Sequence, residues 1–140
     1  MKEPNRTGAF RFRLDLESGV PVYRQIIDQV TGAIASGTLS AGDQLPTVRQ
    51  LAVDLSINPN TVIRAYREME IRGVLDTQQG SGTFISDRKI EKDEVERKRR
   101  LDQLVSEFVA RAGAAGFTVR DLLDQLSGLQ AEAAGNKKRR

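Results

Sequence analysis

Asn60 and Arg64 stand four residues apart just behind Asn58-Pro59, and a helix begun there turns both side chains to one face. Asparagine can form two hydrogen bonds to an adenine edge and arginine two to guanine, each worth roughly 1–3 kcal/mol of discrimination in a major groove. Thr61, between them, carries a hydroxyl suited to a base edge or a phosphate. Asn58 is a good N-cap, and capping alone is enough to account for it. Thr47 and Arg49 open an earlier helix, whose free amides and dipole favour an anion. Arg49 could add a charge-assisted contact there, or pair locally with Asp43 or Asp54. Downstream, Gln78, Gln79, Ser81 and Thr83 place uncharged donors around Gly80 and Gly82, suited to a phosphate or a minor groove. The alternative is a hairpin that only completes a small core.

This is the chemistry of recognition rather than of bond making. The chain has no cysteine and no histidine. Disulfides, thiolate nucleophiles and cysteine-ligated zinc are excluded, and the commonest general base is missing. No D-x-D-x-D-G type loop offers carboxylates to a hard cation. No catalytic residue, metal ligand or cofactor is therefore expected.

The elements that must hold these side chains follow from periodicity. Phe10, Phe12, Leu14 and Leu16 alternate with polar residues, as in a short half-buried strand, after a disordered lead over 1–9. Val22, Ile26, Val30 and Ile34, widened by Tyr23 and Ile27, predict a helix from Pro21 to near Gly37. Residues 38–46 read as a loop. Thr47 and Gln50 form a capping box at the head of a helix with Leu51, Ala52 and Leu55 inside. Ser56-Ile57 makes a turn, and the next helix buries Val62, Ala65, Tyr66 and Met69 before ending at Gly73. Arg67 and Arg72, mixed with Glu68 and Glu70, read as a solvated face with intrahelical pairs. Leu75 to Gln78 and Thr83 to Ile85 make a hairpin whose glycines at 80 and 82 permit positive φ. Two further amphipathic helices follow a charged connector. The first carries Leu101, Leu104, Val105, Phe108, Val109 and Ala112, and the second Val119, Leu122, Leu123 and Leu126 behind a Thr118 cap.

The expected fold is mostly α with a small β-wing. A winged helix-turn-helix occupies 10–87, a two-helix region 88–134, and a frayed basic tail 135–140. Helix-turn-helix geometry sends the N-terminus of the second helix into the major groove, which makes duplex DNA the expected partner. The net charge of +3 gives that partner little help. Residues 1–87 hold 9 Lys/Arg against 10 Asp/Glu, a net of −1, whereas residues 88–140 hold 13 against 9, a net of +4. Individual arginines, not bulk charge, must carry the contact.

The strings P-V-Y-R-Q-I, S-G-T-L-S-A-G-D-Q-L-P-T-V-R-Q-L-A, I-N-P-N-T-V-I-R-A-Y and G-S-G-T-F-I resemble the N-terminal domain of GntR-family bacterial transcriptional regulators. The resemblance covers about Val20 to Ser86. It implies DNA contacts at Thr47, Arg49, Asn58, Asn60, Thr61 and Arg64, and at wing residues Gln79, Gly80, Ser81 and Gly82. The N-P-N-T-V-x-R-A-Y form is similar to two subfamilies, one with a fused aminotransferase-like domain and the short YtrA-like one. About 53 residues follow the wing, which fits the YtrA-like architecture and its dimerising C-terminal helices.

Physics points the same way, because two helices of this size cannot bury both faces on themselves. Leu101, Leu104, Val105, Phe108, Leu122, Leu123 and Leu126 are the expected dimerisation residues. A two-fold dimer matches a palindromic operator. The functional expectation is a dimeric transcriptional repressor that occludes a promoter, and the rival is a winged module that binds proteins instead of DNA. A conventional small-molecule pocket does not fit so short a C-terminal region, which leaves the dimer interface as the place for an effector. No apolar run approaches the roughly 20 residues of a membrane helix, and the start M-K-E-P-N-R-T-G leads into no signal-peptide core. A cytoplasmic location without membrane contact is expected.

Overall fold

The computed structural model describes residues 10–87 and 93–138, with side chains as far as residue 135. The lead expected over 1–9 and most of the charged connector lie outside the described residues. The described residues divide into two compact units, one formed by residues 10–87 with 133–138 and the other by residues 93–132.

In the first unit, helix α1 spans Val22–Ser36 and ends at Gly37, whose φ of 87° is the left-handed stop that glycine takes without strain. Ile26, Ile27, Val30 and Ala33 form its buried stripe. The segment before it corrects the expected strand. Apart from a single bridge at Phe10, residues 11–15 run beside no strand. Phe10 and Phe12 nevertheless go to the core, edge to face at 4.8 Å, while Leu16 is 79% exposed. The partner that satisfies this backbone is a helix. Gln25 accepts from the Asp15 amide at 2.8 Å and donates to the Asp15 carbonyl at 2.9 Å. One turn on, Gln29 accepts from the Arg13 amide at 2.8 Å and donates to the Arg13 carbonyl. Each glutamine amide thus supplies the donor and acceptor of a missing neighbouring strand, which explains a period of two without a sheet.

Strand β1, Gln44–Leu45, falls within the expected loop. It pairs antiparallel with β3, Gly82–Ile85, which pairs in turn with β2, Leu75–Gln78, so the sheet order is β1-β3-β2. Two residues leave no periodicity to read, and only the register Gln44↔Phe84 and Leu45↔Thr83 makes them a strand. Between β1 and β2 lie α2, Val48–Leu55, and α3, Pro59–Ile71. The capping box forms as expected: the Gln50 amide donates to the Thr47 hydroxyl and the Thr47 amide to the Gln50 side chain, each at 3.1 Å. Ser56 makes the turn in the left-handed region, φ 56°. Asn58 caps α3 by accepting from the Asn60 amide at 2.8 Å, with Pro59 in the first turn. Leu51, Ala52, Val62, Ala65, Tyr66 and Met69 close over the α1 stripe, with Leu45, Leu75 and Ile85 beneath.

The second unit holds α4, Glu94–Ala114, and α5, Val119–Lys138, as far as residue 132; the last residues of α5 belong to the first unit. Asp93 caps α4, accepting from the Val95 amide at 3.0 Å. Thr118 and Asp121 cap α5 reciprocally, and the Thr118 amide holds the Asp121 carboxyl below the usual carboxylate range. Helix α5 runs on to residue 138, so the segment expected as a tail from residue 135 begins as helix; nothing in Ala133-Ala134-Gly135 forces a stop. The two helices do not pack along one another. Leu101, Leu104, Val105, Phe108, Leu123 and Leu126 are exposed, and Leu122 and Val109 are half-buried.

Within the first unit, a buried polar bond ties α3 to the residue after β1: the Tyr66 hydroxyl donates to the Pro46 carbonyl at 2.8 Å. Replacing Tyr66 with Phe leaves that buried carbonyl without a donor and is expected to cost about 1–3 kcal/mol of stability. Urea denaturation of wild type and Tyr66→Phe measures it. An unchanged midpoint and slope would remove this bond from the account of the fold.

Candidate nucleic-acid interface

Helix α3 buries Val62, Ala65, Tyr66 and Met69, so at 100° per residue its opposite face carries Asn60, Arg64, Arg67 and Ile71. All four are exposed. With Ile63 and Glu68 they line a shallow open hollow of about 370 Å³ along the outer face of the helix. Asn58, expected as cap and contact, is committed through its side-chain oxygen to the cap. The Asn60 side chain takes no partner among the described residues. Thr61, half-buried beside it, points its helix position toward the flank rather than the crest.

Arg64 is held differently from its neighbours. Its guanidinium carbon lies 3.7 Å from the centroid of the Tyr23 ring, which reaches it from the first turn of α1. No carboxylate pairs with it among the described residues. Of the intrahelical pairs expected on this face, Glu68–Arg72 forms at 3.3 Å, whereas Arg67 makes no ion pair among the described residues and lies on the same face as Asn60 and Arg64. The signal was present in the spacing 60, 64, 67, 71, and charge alternation along the sequence hid it.

Thr47 and Arg49 lie exposed at the head of α2. The Thr47 hydroxyl accepts from the Gln50 amide and keeps its own proton for another acceptor. The first-turn amides at residues 48 and 49 have no partner among the described residues, as expected of a helix N-terminus. Arg49 forms no ion pair with Asp43 or Asp54 among the described residues; Asp43 instead accepts from the Ser40 amide at 2.9 Å. A charged fork and free amides at one helix head make a site for a single anionic group.

The wing tip is a tight turn in which the Ser81 amide donates to the Gln78 carbonyl at 2.9 Å. Gln79, Gly80 and Ser81 are exposed there, and Gly82 is half-buried. Gly82 adopts φ 127°, and a Cβ at that position would meet the Gln44 amide nitrogen at 2.5 Å. That nitrogen donates to the Ser81 carbonyl at 3.1 Å, so β1 grips the tip through Gln44, a residue to which sequence pattern assigned no role. Pro46 follows β1 directly and accepts from Tyr66, and Thr47 comes next. The wing, the head of α2 and the middle of α3 therefore share one junction at residues 44–47.

The basic run from Arg97 to Arg100 lies in α4 and is largely spent on its own helix. Lys98 pairs with Asp102 at 3.1 Å, Arg99 with Glu96 at 2.6 Å, and Arg97 approaches Glu94 at 4.0 Å. Among the described residues there is no group of three or more acidic side chains that could hold a metal ion. No described helix is long and apolar enough to cross a membrane.

Comparison with known proteins agrees with this geometry. The family described as "Bacterial regulatory proteins, gntR family" matches residues 22–85, from the first residue of α1 to the last of β3. The chain is 35% identical over 130 residues to the HTH-type transcriptional repressor YtrA of Bacillus subtilis, covering 90% of this chain and 97% of that protein. A transcriptional regulator from Oenococcus oeni superposes with a TM-score of 0.54 at 34% identity, over 83% of this chain and 96% of that one. YtrA from Sulfolobus acidocaldarius, a GntR-family transcription factor, gives a TM-score of 0.53 at 31% identity, over 71% and 97%.

Gly82→Ala tests the grip on the wing. An L residue at that φ, with its Cβ driven against Gln44, is expected to cost about 1–3 kcal/mol. The loss should show as faster amide exchange in residues 77–83 while α1 and α3 keep their protection. Unchanged exchange in the hairpin would contradict it.

Proposed function

The chain belongs to the gntR family of bacterial regulatory proteins, and on that premise we propose that this DNA-binding transcriptional regulator is a dimeric repressor, its two winged units filling the half-sites of a palindromic operator. Helix α3 lies in the major groove. Asn60, Thr61 and Arg64 read base edges, and Arg67 extends the same face. Thr47, Arg49 and the capped head of α3 at Asn58 set the register on the phosphates. The wing, Gln79 to Gly82, reaches over the neighbouring backbone. Bound across a promoter, the dimer would block transcription, in keeping with the Bacillus relative being named a transcriptional repressor. It does so in the cytoplasm, where the chromosome lies.

The observation that carries this reading is the outer face of α3. It presents one amide and two guanidinium groups without a carboxylate partner among the described residues, in a stretch, residues 1–87, whose net charge is −1. Unpaired donors on a helix held from three sides fit base readout better than nonspecific attraction. The dimer rests on α4 and α5, where Leu104 is 57% and Phe108 47% exposed with Leu101 and Val105 beside them. A lone chain gains nothing from leaving such a stripe in water. An effector, where one acts, would bind at that interface.

Two outcomes are expected on a duplex selected by the wild-type protein from a randomised pool. Asn60→Ala should relax preference at one base pair by about 1–3 kcal/mol, whereas Arg49→Ala should weaken all sequences alike and lower the salt slope by about one. If Asn60→Ala left every base preference intact at fixed salt, the reading face would be wrong.

A Phe108→Glu substitution should dissociate the dimer, which light scattering coupled to size exclusion reports as a halved mass. A wild-type monomer at micromolar concentration would sink the dimer.

A further inference from the structure

We infer that Tyr23 is a positioning residue for base recognition, acting through Arg64 and making no DNA contact of its own. The inference rests on the reading of Arg64 as a base-contacting residue and adds a role for α1 in specificity.

The guanidinium carbon of Arg64 sits 3.7 Å from the Tyr23 ring centroid. That is van der Waals contact between two planar groups, which requires the guanidinium to lie face-on; an N–H aimed at the ring would hold the carbon farther away. A face-on stack uses the π surface of the arginine and none of its donors. The N–H groups lie in the guanidinium plane and stay available for the paired acceptors of a guanine edge. No described carboxylate competes for them. A salt bridge would fix the side chain equally well but would spend the very donors that recognition needs.

Arginine is a costly residue to order, because its long side chain surrenders rotamer freedom on binding. Tyr23 removes part of that loss before DNA arrives. It can do so because it is itself anchored: it lies half-buried against the core in the first turn of α1, the helix that packs on α3. Tyr23 therefore ties the orientation of one reading side chain to the packing of α1 on α3. Asn60 and Arg67, on the same outer face, have no such support among the described residues.

The test uses the full chain and all single base-pair variants of the selected duplex, with four proteins: wild type, Tyr23→Leu, Tyr23→Phe and a form carrying pentafluorophenylalanine at position 23. The last keeps the ring's shape but removes its attraction for a cation, so it answers the question even where Tyr23→Leu fails to fold. Loss of the stack is expected to cut discrimination about fivefold at the base pair that Arg64→Ala also affects, in line with a partly exposed cation–π contact. The salt slope and the other base preferences should stay unchanged. Tyr23→Phe, which retains the ring face, should stay within about twofold of wild type. A pentafluorophenylalanine protein with wild-type discrimination, or one weakened equally on every sequence, overturns the inference while leaving DNA binding in place. A wild-type protein that selects no duplex at all would instead remove the functional reading beneath it.

Discussion

The elements proposed to face DNA meet at the carbonyl of Pro46. It is buried, it belongs to a residue that cannot donate, and it lies between the strand that grips the wing and the residue that caps α2. Its partner is the Tyr66 hydroxyl, twenty residues on, in the middle of the buried stripe of α3. Burial pushes the Tyr66 phenol well above its ordinary range, so it remains a neutral donor at any physiological pH. Burial of the stripe Val62, Ala65, Tyr66 and Met69 sets the rotation of α3, and with it the direction of Asn60, Arg64 and Arg67. The one directional bond from the middle of the helix to the common junction adds to that constraint.

Local chemistry was legible in the sequence, and long-range pairing was not. The Thr47–Gln50 capping box, the Asn58 cap with Pro59 and the turn glycines each depend on residues within a few positions of one another, and all form. What escaped were contacts whose partners lie far along the chain. Strand β1 exists only because residues 83 and 84 pass beside it. The alternation from Phe10 to Leu16 marked an extended chain, yet its hydrogen bonds go to two glutamines on a helix, a pairing no strand pattern encodes. Within the site, Asn60 and Arg64 follow from helical spacing alone. Arg67 shares that face but was masked by adjacent glutamates, and the supports of the site, Gln44 and Tyr23, carry no signal until α1 and β1 are folded against it.

The charge distribution and this architecture explain each other. Residues 1–87, with a net of −1, offer little general electrostatic attraction, and the basic run in α4 is largely paired with acids of its own helix. If only these few placed groups neutralise phosphates, nonspecific affinity is expected to be low and its salt dependence shallow. Specificity is the difference between the right and wrong site, and a weak background enlarges it. Such a protein has reason to hold its donors in fixed directions, because it has no excess attraction to compensate for a misaligned contact. The buried Tyr66 bond, the Gln44 grip and the stack under Arg64 all serve that requirement.

Weak half-sites in turn make the proposed dimer more than an accessory. A single near-neutral unit with one reading face would bind too loosely to exclude a polymerase. Linking two of them turns the second contact into an intramolecular step at millimolar effective concentration, so the product of two modest affinities becomes a firm one. The same linkage makes occupancy sensitive to anything that alters α4 and α5. A change there need not touch a DNA-reading residue to release the operator; it has only to spoil the spacing at which both units engage. On this reading the exposed apolar stripe from Leu101 to Phe108 is where affinity and control would meet.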